Sequence, residues 1–273
     1  MSNLPFPHEL TNNIPEIKNK GLRFERFFDE FDTDWKIKDD AKNEFLKKFD
    51  GCCGNIIELN RYSNNQLKLI ESLNGKFKKY KLDWHMVTGM GNPHPTENGF
   101  LWHPTLGVPY IPGSQVKGIV RSLIEQYFDG QNSDKENLLY QWFGSKSKLS
   151  DNEKDNQVGR FIFFDAIPIK PATLVVDIMT PHMGKWYSEG NEIGNIEKEA
   201  DRIPADWHDP VPIPFLAVKD ATFLFSIAER NHAENNGEIE EVFDILNKAL
   251  EYLGVGAKTQ TGYGYMTIIK DDD

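Results

Sequence analysis

IPGSQVKGIVRSLIEQYF (111–128) is the stretch from which the fold can be read. Val116, Ile119, Val120, Leu123, Ile124, Tyr127 and Phe128 recur at helical spacing and share one face, so a buried helix spans 115–128. Pro112 and Gly113 break the chain before it, and Ser114 is a natural N-cap. Upstream, LDWHMV (82–87) reads as a short strand, followed by a Gly/Pro-rich connection over 88–113. Downstream, 129–159 is polar and reads as loop or insertion apart from LLYQWF (138–143). Strands RFIFFDAI (160–167) and TLVVDIM (173–179) follow, parted by a proline-containing turn, and 184–210 reads as a second insertion. ATFLFSIA (221–228) alternates as a strand should. A second helix over 238–253 buries Ile239, Val242, Phe243, Leu246, Ala249, Leu250 and Leu253. Glu238, Glu240 and Glu241 sit in its first turn, where the helix dipole favours anions, and Gly254 is placed to cap its end. YGYMTIIK (263–270) closes the series as a strand before the acidic tail Asp271–Asp273. The order predicts an α+β protein with a ferredoxin-like βαββαβ core, insertions, and one strand left over for a hairpin. That fold hosts many functions and selects none.

Residues 1–80 read as an N-terminal helical extension, with helices near 21–31, 39–49 and 64–73, and 81–273 as the ferredoxin-like domain. Lys76, Lys78, Lys79 and Lys81, interleaved with Phe77 and Tyr80, fit a solvated strand or turn better than an RNA-facing edge. Of the 273 residues, 39% are hydrophobic and 27% charged, a globular balance. No apolar run approaches the roughly 20 residues that span a bilayer. MSNLPFPHEL lacks the basic start and apolar core of a signal peptide, so the expectation is a cytoplasmic protein with no membrane partner. Cys52 and Cys53 are adjacent, match no zinc spacing, and read as reduced thiols. A formal net charge of −11 counts against a free-standing nucleic-acid binder. Any RNA must then be held where positive charge is concentrated at special backbone positions.

Two segments meet that condition. In the first, Lys117 falls near the start of the helix, where a cation is disfavoured by the dipole, and Arg121 lies one turn on. Free backbone N–H groups, Ser114, Gln115, Lys117 and Arg121 suit an anion such as phosphate, and Gly118 would admit a sugar or backbone closely. The alternative pairs Arg121 with Glu125 and leaves Lys117 solvated. The P-loop pattern is not met, because Lys117 is followed by Gly118. In the second, LGVGAKTQTGYGYM (253–266), Gly254, Gly256, Gly262 and Gly264 lie within eleven residues, more than an ordinary helix-to-strand turn requires. Lys258, Thr259, Gln260 and Thr261 offer donors to phosphates and riboses. Tyr263 and Tyr265 offer stacking surfaces, although one of them can instead face the core. A dinucleotide-binding fingerprint fails, since its third glycine would be Thr259 and the loop leaves a helix. In an unmodified ferredoxin-like topology the two segments lie on one side of the sheet and form a single groove.

These segments resemble the RAMP superfamily of CRISPR-associated proteins, whose hallmark is a C-terminal glycine-rich loop such as GVGAKTQTGYG. Within it, TGMGNPHPTENGFLWHPTLGVPYIPGSQVKGIVR (88–121), FFDAIP (163–168), VVDIMTPH (175–182) and PIPFLAV (212–218) resemble the signature of the sixth-subunit family of type III-B Cmr complexes. One departure is Gln115, where that family often has a second serine. The resemblance covers roughly 82–270. It implies an RNA-recognition-like RAMP core that takes no cofactor. It also implies CRISPR RNA, target single-stranded RNA and other Cmr subunits as partners. The implied role is to cap the backbone filament near the guide's 3′ end, with target cleavage left to a different, repeated subunit.

The rival reading is a RAMP endoribonuclease that processes precursor CRISPR RNA, with a histidine as general base. His85, His94, His103 and His182 lie on or near the expected core, and Asp177, His182 and Asp165 invite a metal site, but no ligand spacing supports one. His103 reads more plainly as part of a hydrogen-bonded Trp102–His103–Pro104 turn.

Overall fold

A computed structural model describes residues 17–32, 34–38, 40–145, 157–195, 199–200, 202–204, 208–230 and 238–270. Expectations for the first sixteen residues, 146–156 of the first insertion, parts of the second, and Asp271–Asp273 fall outside the described residues.

The central sheet holds β2 (Lys76–Leu82), β3 (Phe161–Phe163), β4 (Ile167–Pro168), β7 (Thr222–Glu229) and β8 (Met266–Ile268). Its order is β3-β7-β2-β8, with β4 continuing the β3 edge, and every pairing is antiparallel. With helices α4 (Gly113–Tyr127) and α7 (Glu238–Tyr252) this is the ferredoxin-like βαββαβ arrangement. The first core strand is therefore the basic segment 76–82 and not LDWHMV, so the boundary expected at 80 falls inside β2. The lysines hid it. Lys78 holds its ammonium over the Phe243 ring at 5.0 Å and pairs with Glu240 at 3.1 Å, so a charged residue is half-buried against α7. Tyr80 is buried on the same face and bonds Asn247, while Phe77, Lys79 and Lys81 point the other way.

Strand β7 is covered on both faces. Phe223, Phe225 and Ile227 join the helix-side core, and Leu224, Ser226 and Ala228 are buried as well. Helix α3 (Ile56–Ser72) contributes to that second covering, with Gln66 Nε2 donating to the Asp165 carbonyl at 3.1 Å. The leftover strand has its own place. β5 (Ala172–Met179) lies between β1 (Gly51–Cys53) and β6 (Ile213–Asp220) in a second, three-stranded sheet. Met86 bridges to Val218 and couples the chain leaving β2 to that sheet. Cys53 is buried on β1, which pushes its thiol up to about 12; Cys52 is exposed, and neither is bridged.

The expected first insertion contains a helix, α5 (Asn132–Phe143), whose Leu139, Trp142 and Phe143 are buried. The second contains the short helix α6 (Gly184–Glu189). Helices α1 (Lys20–Arg26) and α2 (Ala41–Lys47) share the main core: Phe24, Phe45 and Phe49 cluster with Phe100 and Trp102 of the 83–112 connection.

His94 is held inside this cluster. Its ring stacks on Phe24 at 4.0 Å, Nδ1 meets Thr96 Oγ1 at 2.7 Å, and Nε2 meets the Phe24 carbonyl at 2.9 Å. Burial lowers its pKa below the usual 6.5, and His103 is lowered for the same reason. A depressed folded-state pKa gives stability that is complete above the unfolded value and is lost as pH falls through the folded one. The unfolding temperature is therefore expected to drop between pH 7 and pH 5, and His94→Gln to show a shallower drop. Thermal melts across that range check it; identical slopes for the two proteins would contradict it.

Candidate nucleic-acid interface

The glycine-rich segment is a rigid loop. Gly254, at φ +69°, ends α7 and its N–H reaches back to the Ala249 carbonyl at 3.0 Å. Gly256 (φ +101°) and Gly264 (φ +81°) lie where a Cβ would meet the Val87 carbonyl at 2.2 Å and the Val255 carbonyl at 2.0 Å. These close approaches let Ala257 N–H donate to Val87 O and Gly264 N–H to His85 O, both at 2.7 Å. Lys258 itself is left-handed (φ +61°), uncommon for a residue with a side chain. A 3-10 turn over Thr259–Thr261 follows, in which the Thr261 N–H and hydroxyl both donate to the Lys258 carbonyl, at 3.0 and 2.9 Å. The turn leaves Gln260, Thr261 and Gly262 exposed and Lys258 half-buried, with its ammonium 5.5 Å from the Phe215 ring centre.

Tyr263 is not available for stacking bases. It is buried, and its hydroxyl donates to Asp177 Oδ2 at 2.7 Å; Tyr265 is half-buried. Burial and this bond raise the Tyr263 pKa. Burial opposes ionisation of Asp177, but bonds from Tyr263, the Ile178 N–H and His85 Nδ1 (3.3 Å) together hold it below the usual carboxylate range. Trp84 stacks on His85, with centroids 4.5 Å apart at 9°, and is 50% exposed. Trp84 did not stand out in the sequence, and His85, Asp177 and Tyr263 did so only separately, not as one hydrogen-bonded chain.

The start of α4 differs from expectation. The helix begins at Gly113, so Ser114 is its exposed second residue and not its N-cap. The cap comes from afar: Asp165 Oδ1 accepts the Gly113 N–H at 2.7 Å, so part of the expected anion site is filled by the protein's own carboxylate. Gln115 is half-buried beside it, its N–H on the Pro112 carbonyl. Lys117 Nζ donates to the Phe143 carbonyl at 2.9 Å, and Arg121 pairs with Glu125 at 2.9 Å. Burial, then the nearby Arg121 and Arg230, lower the Lys117 pKa, so three cations crowd this flank. Gly118 is exposed, and a Cβ there would meet nothing within 4 Å.

The two segments stand at opposite edges of the central sheet. Gly113 packs against the Phe163 and Phe164 backbone at the β3 edge, whereas the glycine-rich loop feeds β8. Three strand spacings separate those edges, about 14 Å. The cause is the 83–112 connection, which pairs Val87 with Ala257 at one end and Ile111 with Ala166 at the other, carrying α4 to the far edge before it begins. The two candidate segments are therefore separate stations and do not form one groove.

His103 lies in the expected turn, its Nδ1 accepting the Leu106 N–H at 3.3 Å, and His182 is exposed. Among the described residues, no three His, Cys, Asp or Glu side chains stand together as a metal site, and no helix is long and apolar enough to cross a membrane.

The strand order, the two helices and a glycine-rich approach to the last strand define a ferredoxin-like α+β protein whose polar loop faces outward. The chain belongs to the RAMP superfamily, whose profile matches residues 79–267. It is 30% identical over 255 residues to the CRISPR system Cmr subunit Cmr6 of Pyrococcus furiosus, covering 75% of this chain and 71% of that one. It is 33% identical over 176 residues to the Cmr6 of Saccharolobus solfataricus, covering 64% of this chain and 50% of that one. A chain of the type III-B Cmr-beta complex, solved by cryo-electron microscopy bound to cognate target RNA, superposes with a TM-score of 0.57 at 23% identity. That superposition covers 84% of this chain and 71% of the other, and speaks to the fold alone.

Gly256→Ala should cost roughly 1–3 kcal/mol, because it adds an atom against a fixed carbonyl at a left-handed position. Gly118→Ala should stabilise the free protein by up to about 1 kcal/mol, since it sits in an open helix interior. Denaturant melts check both signs; an unchanged Gly256→Ala midpoint would refute the docking described.

Proposed function

We propose that this chain is a non-catalytic, RNA-binding subunit of a type III-B CRISPR ribonucleoprotein. In this reading it lies against the 3′ part of the CRISPR RNA and its duplex with target RNA, beside other Cmr subunits. The observation that carries the reading is the glycine-rich loop. It is anchored by backbone bonds to Val87 and His85 while Lys258, Gln260 and Thr261 line its outer side. A rigid loop of this kind offers a sugar–phosphate chain donors without an ordering cost, and reads no base sequence. The Lys117–Arg121–Arg230 flank supplies a second backbone contact, and the 83–112 connection runs between the two. The Cmr6 similarity supports the assembly.

One observation favours the enzymatic alternative. Asp177 holds His85 at 3.3 Å, as a carboxylate orients a general base. Against it, Trp84 lies flat on the imidazole and the same Asp177 oxygen also accepts the Tyr263 hydroxyl, which fits a structural network.

The test is co-purification of the tagged chain from its host, with sequencing of the bound RNA. CRISPR RNA is expected with the wild type, and weakened retention with Lys117→Ala/Lys258→Ala in an assembly of unchanged protein content. Unchanged retention would instead favour a scaffold that touches only protein. Gly118→Ala should weaken retention despite stabilising the fold. Incubation of the chain with repeat RNA, with and without EDTA, should give no cleavage; discrete cuts lost in His85→Ala would support the endoribonuclease.

A further inference from the structure

We infer that Trp84 is a stacking platform for one unpaired nucleobase of single-stranded RNA, an inference that rests on the RNA-binding reading above. One face of the indole is spent on His85, yet half of the residue's surface remains open to solvent. Such exposure is ordinary for a mobile surface side chain, but this one is held through its neighbours and along one face. The preceding Asp83 N–H donates to the Tyr265 carbonyl at 3.0 Å, and the following His85 carbonyl receives the Gly264 N–H at 2.7 Å. His85 is fixed in turn by Asp177, and Tyr263 lies 4.9 Å from the indole at 49°. Gly262, exposed and left-handed at φ +96°, brings backbone without a side chain alongside: a Cβ there would stand 3.9 Å from the indole. The result is a flat, pre-ordered aromatic surface beside a loop suited to phosphates.

Every base has a π-face, so stacking is tolerant of sequence, and an aromatic that is already immobile loses little freedom when a base lands on it. Lys258 belongs to the same cluster: its carbonyl accepts the Tyr263 N–H at 3.4 Å, and its ammonium lies 5.5 Å from the ring centre of Phe215, which stands 6.1 Å from the Tyr263 ring, so a cation for the phosphate of a nucleotide stacked on Trp84 is in the neighbourhood.

The experiment uses the full chain at low ionic strength with a single-stranded RNA carrying 2-aminopurine, and reads anisotropy and base fluorescence together. Wild type should bind and quench the probe. Trp84→Ala should weaken binding roughly five- to hundredfold and abolish quenching. Trp84→Phe, which keeps a flat ring, should restore most of both. The loss should vanish when an abasic strand of the same length replaces the RNA. Lys258→Ala should weaken the ordinary and the abasic strand alike. If RNA binds, responds to Lys258→Ala and ignores Trp84→Ala, the stacking platform is wrong and the RNA-binding reading survives. If wild type alone binds no RNA, the stacking platform falls, and the RNA-binding reading is decided by retention in the native assembly.

Discussion

Two backbone hydrogen bonds, Ala257 N–H to Val87 and Gly264 N–H to His85, tie the glycine-rich loop to the chain leaving the first core strand. Gly256 and Gly264 make them possible, since any side chain at either position would collide with a carbonyl. The bonds set the spacing of everything around them. Lys258 is set half-buried over the Phe215 ring, Tyr263 is turned inward to Asp177, and Trp84 sits between two anchored neighbours. The same junction joins the two sheets, because Met86 next to it pairs with Val218 of β6. A loop on so much fixed backbone behaves as part of the scaffold.

For an acidic chain to hold RNA, as proposed here, its charge must be arranged and not merely counted. Several of the described carboxylates are turned to internal work: Asp165 caps α4, Glu240 pairs with Lys76 and Lys78, and Glu229 and Glu238 pair with Arg160. The cations near the two stations are less neutralised. Lys117, Arg121 and Arg230 crowd one flank, with Glu125 on Arg121 alone, and Lys258 faces an aromatic ring and not an acid. Local fields of this kind fall off within a Debye length of roughly 8 Å in physiological salt, so distant acidic surface counts for little at the contact. It still repels RNA on approach, which favours binding within an assembly over binding by the free chain.

The helices were legible because each carries its own signal. Val116 to Phe128 and Ile239 to Leu250 write an apolar stripe that needs no knowledge of the partner. The glycine-rich loop was legible for the same reason, since left-handed backbone is announced by its own residues. What was not legible depended on distant contacts. Strand β2 escaped because Lys78 is half-buried with its ammonium over Phe243 while counting as charged in any pattern. Helix α5 escaped because only Leu139, Trp142 and Phe143, near its end, are buried. β5 looked like a core strand, and only pairing with β1 and β6 reveals its separate sheet. At the site, Ser114 was the local candidate for a cap, but Asp165 takes that role from 52 residues away. Asp177 reaches His85 across 92 residues and Tyr263 across 86, so no window of sequence contains that network. The separation of the two stations follows from where the 83–112 connection docks, which is equally nonlocal.

Ultraviolet crosslinking of the native assembly, with the RNA-bearing peptides mapped by mass spectrometry, tests the two-station interface most directly. The account predicts adducts concentrated in 254–265 with the adjoining Trp84–His85, and a second set around 113–121. Adducts confined to other surfaces, with RNA still bound to the assembly, would contradict it.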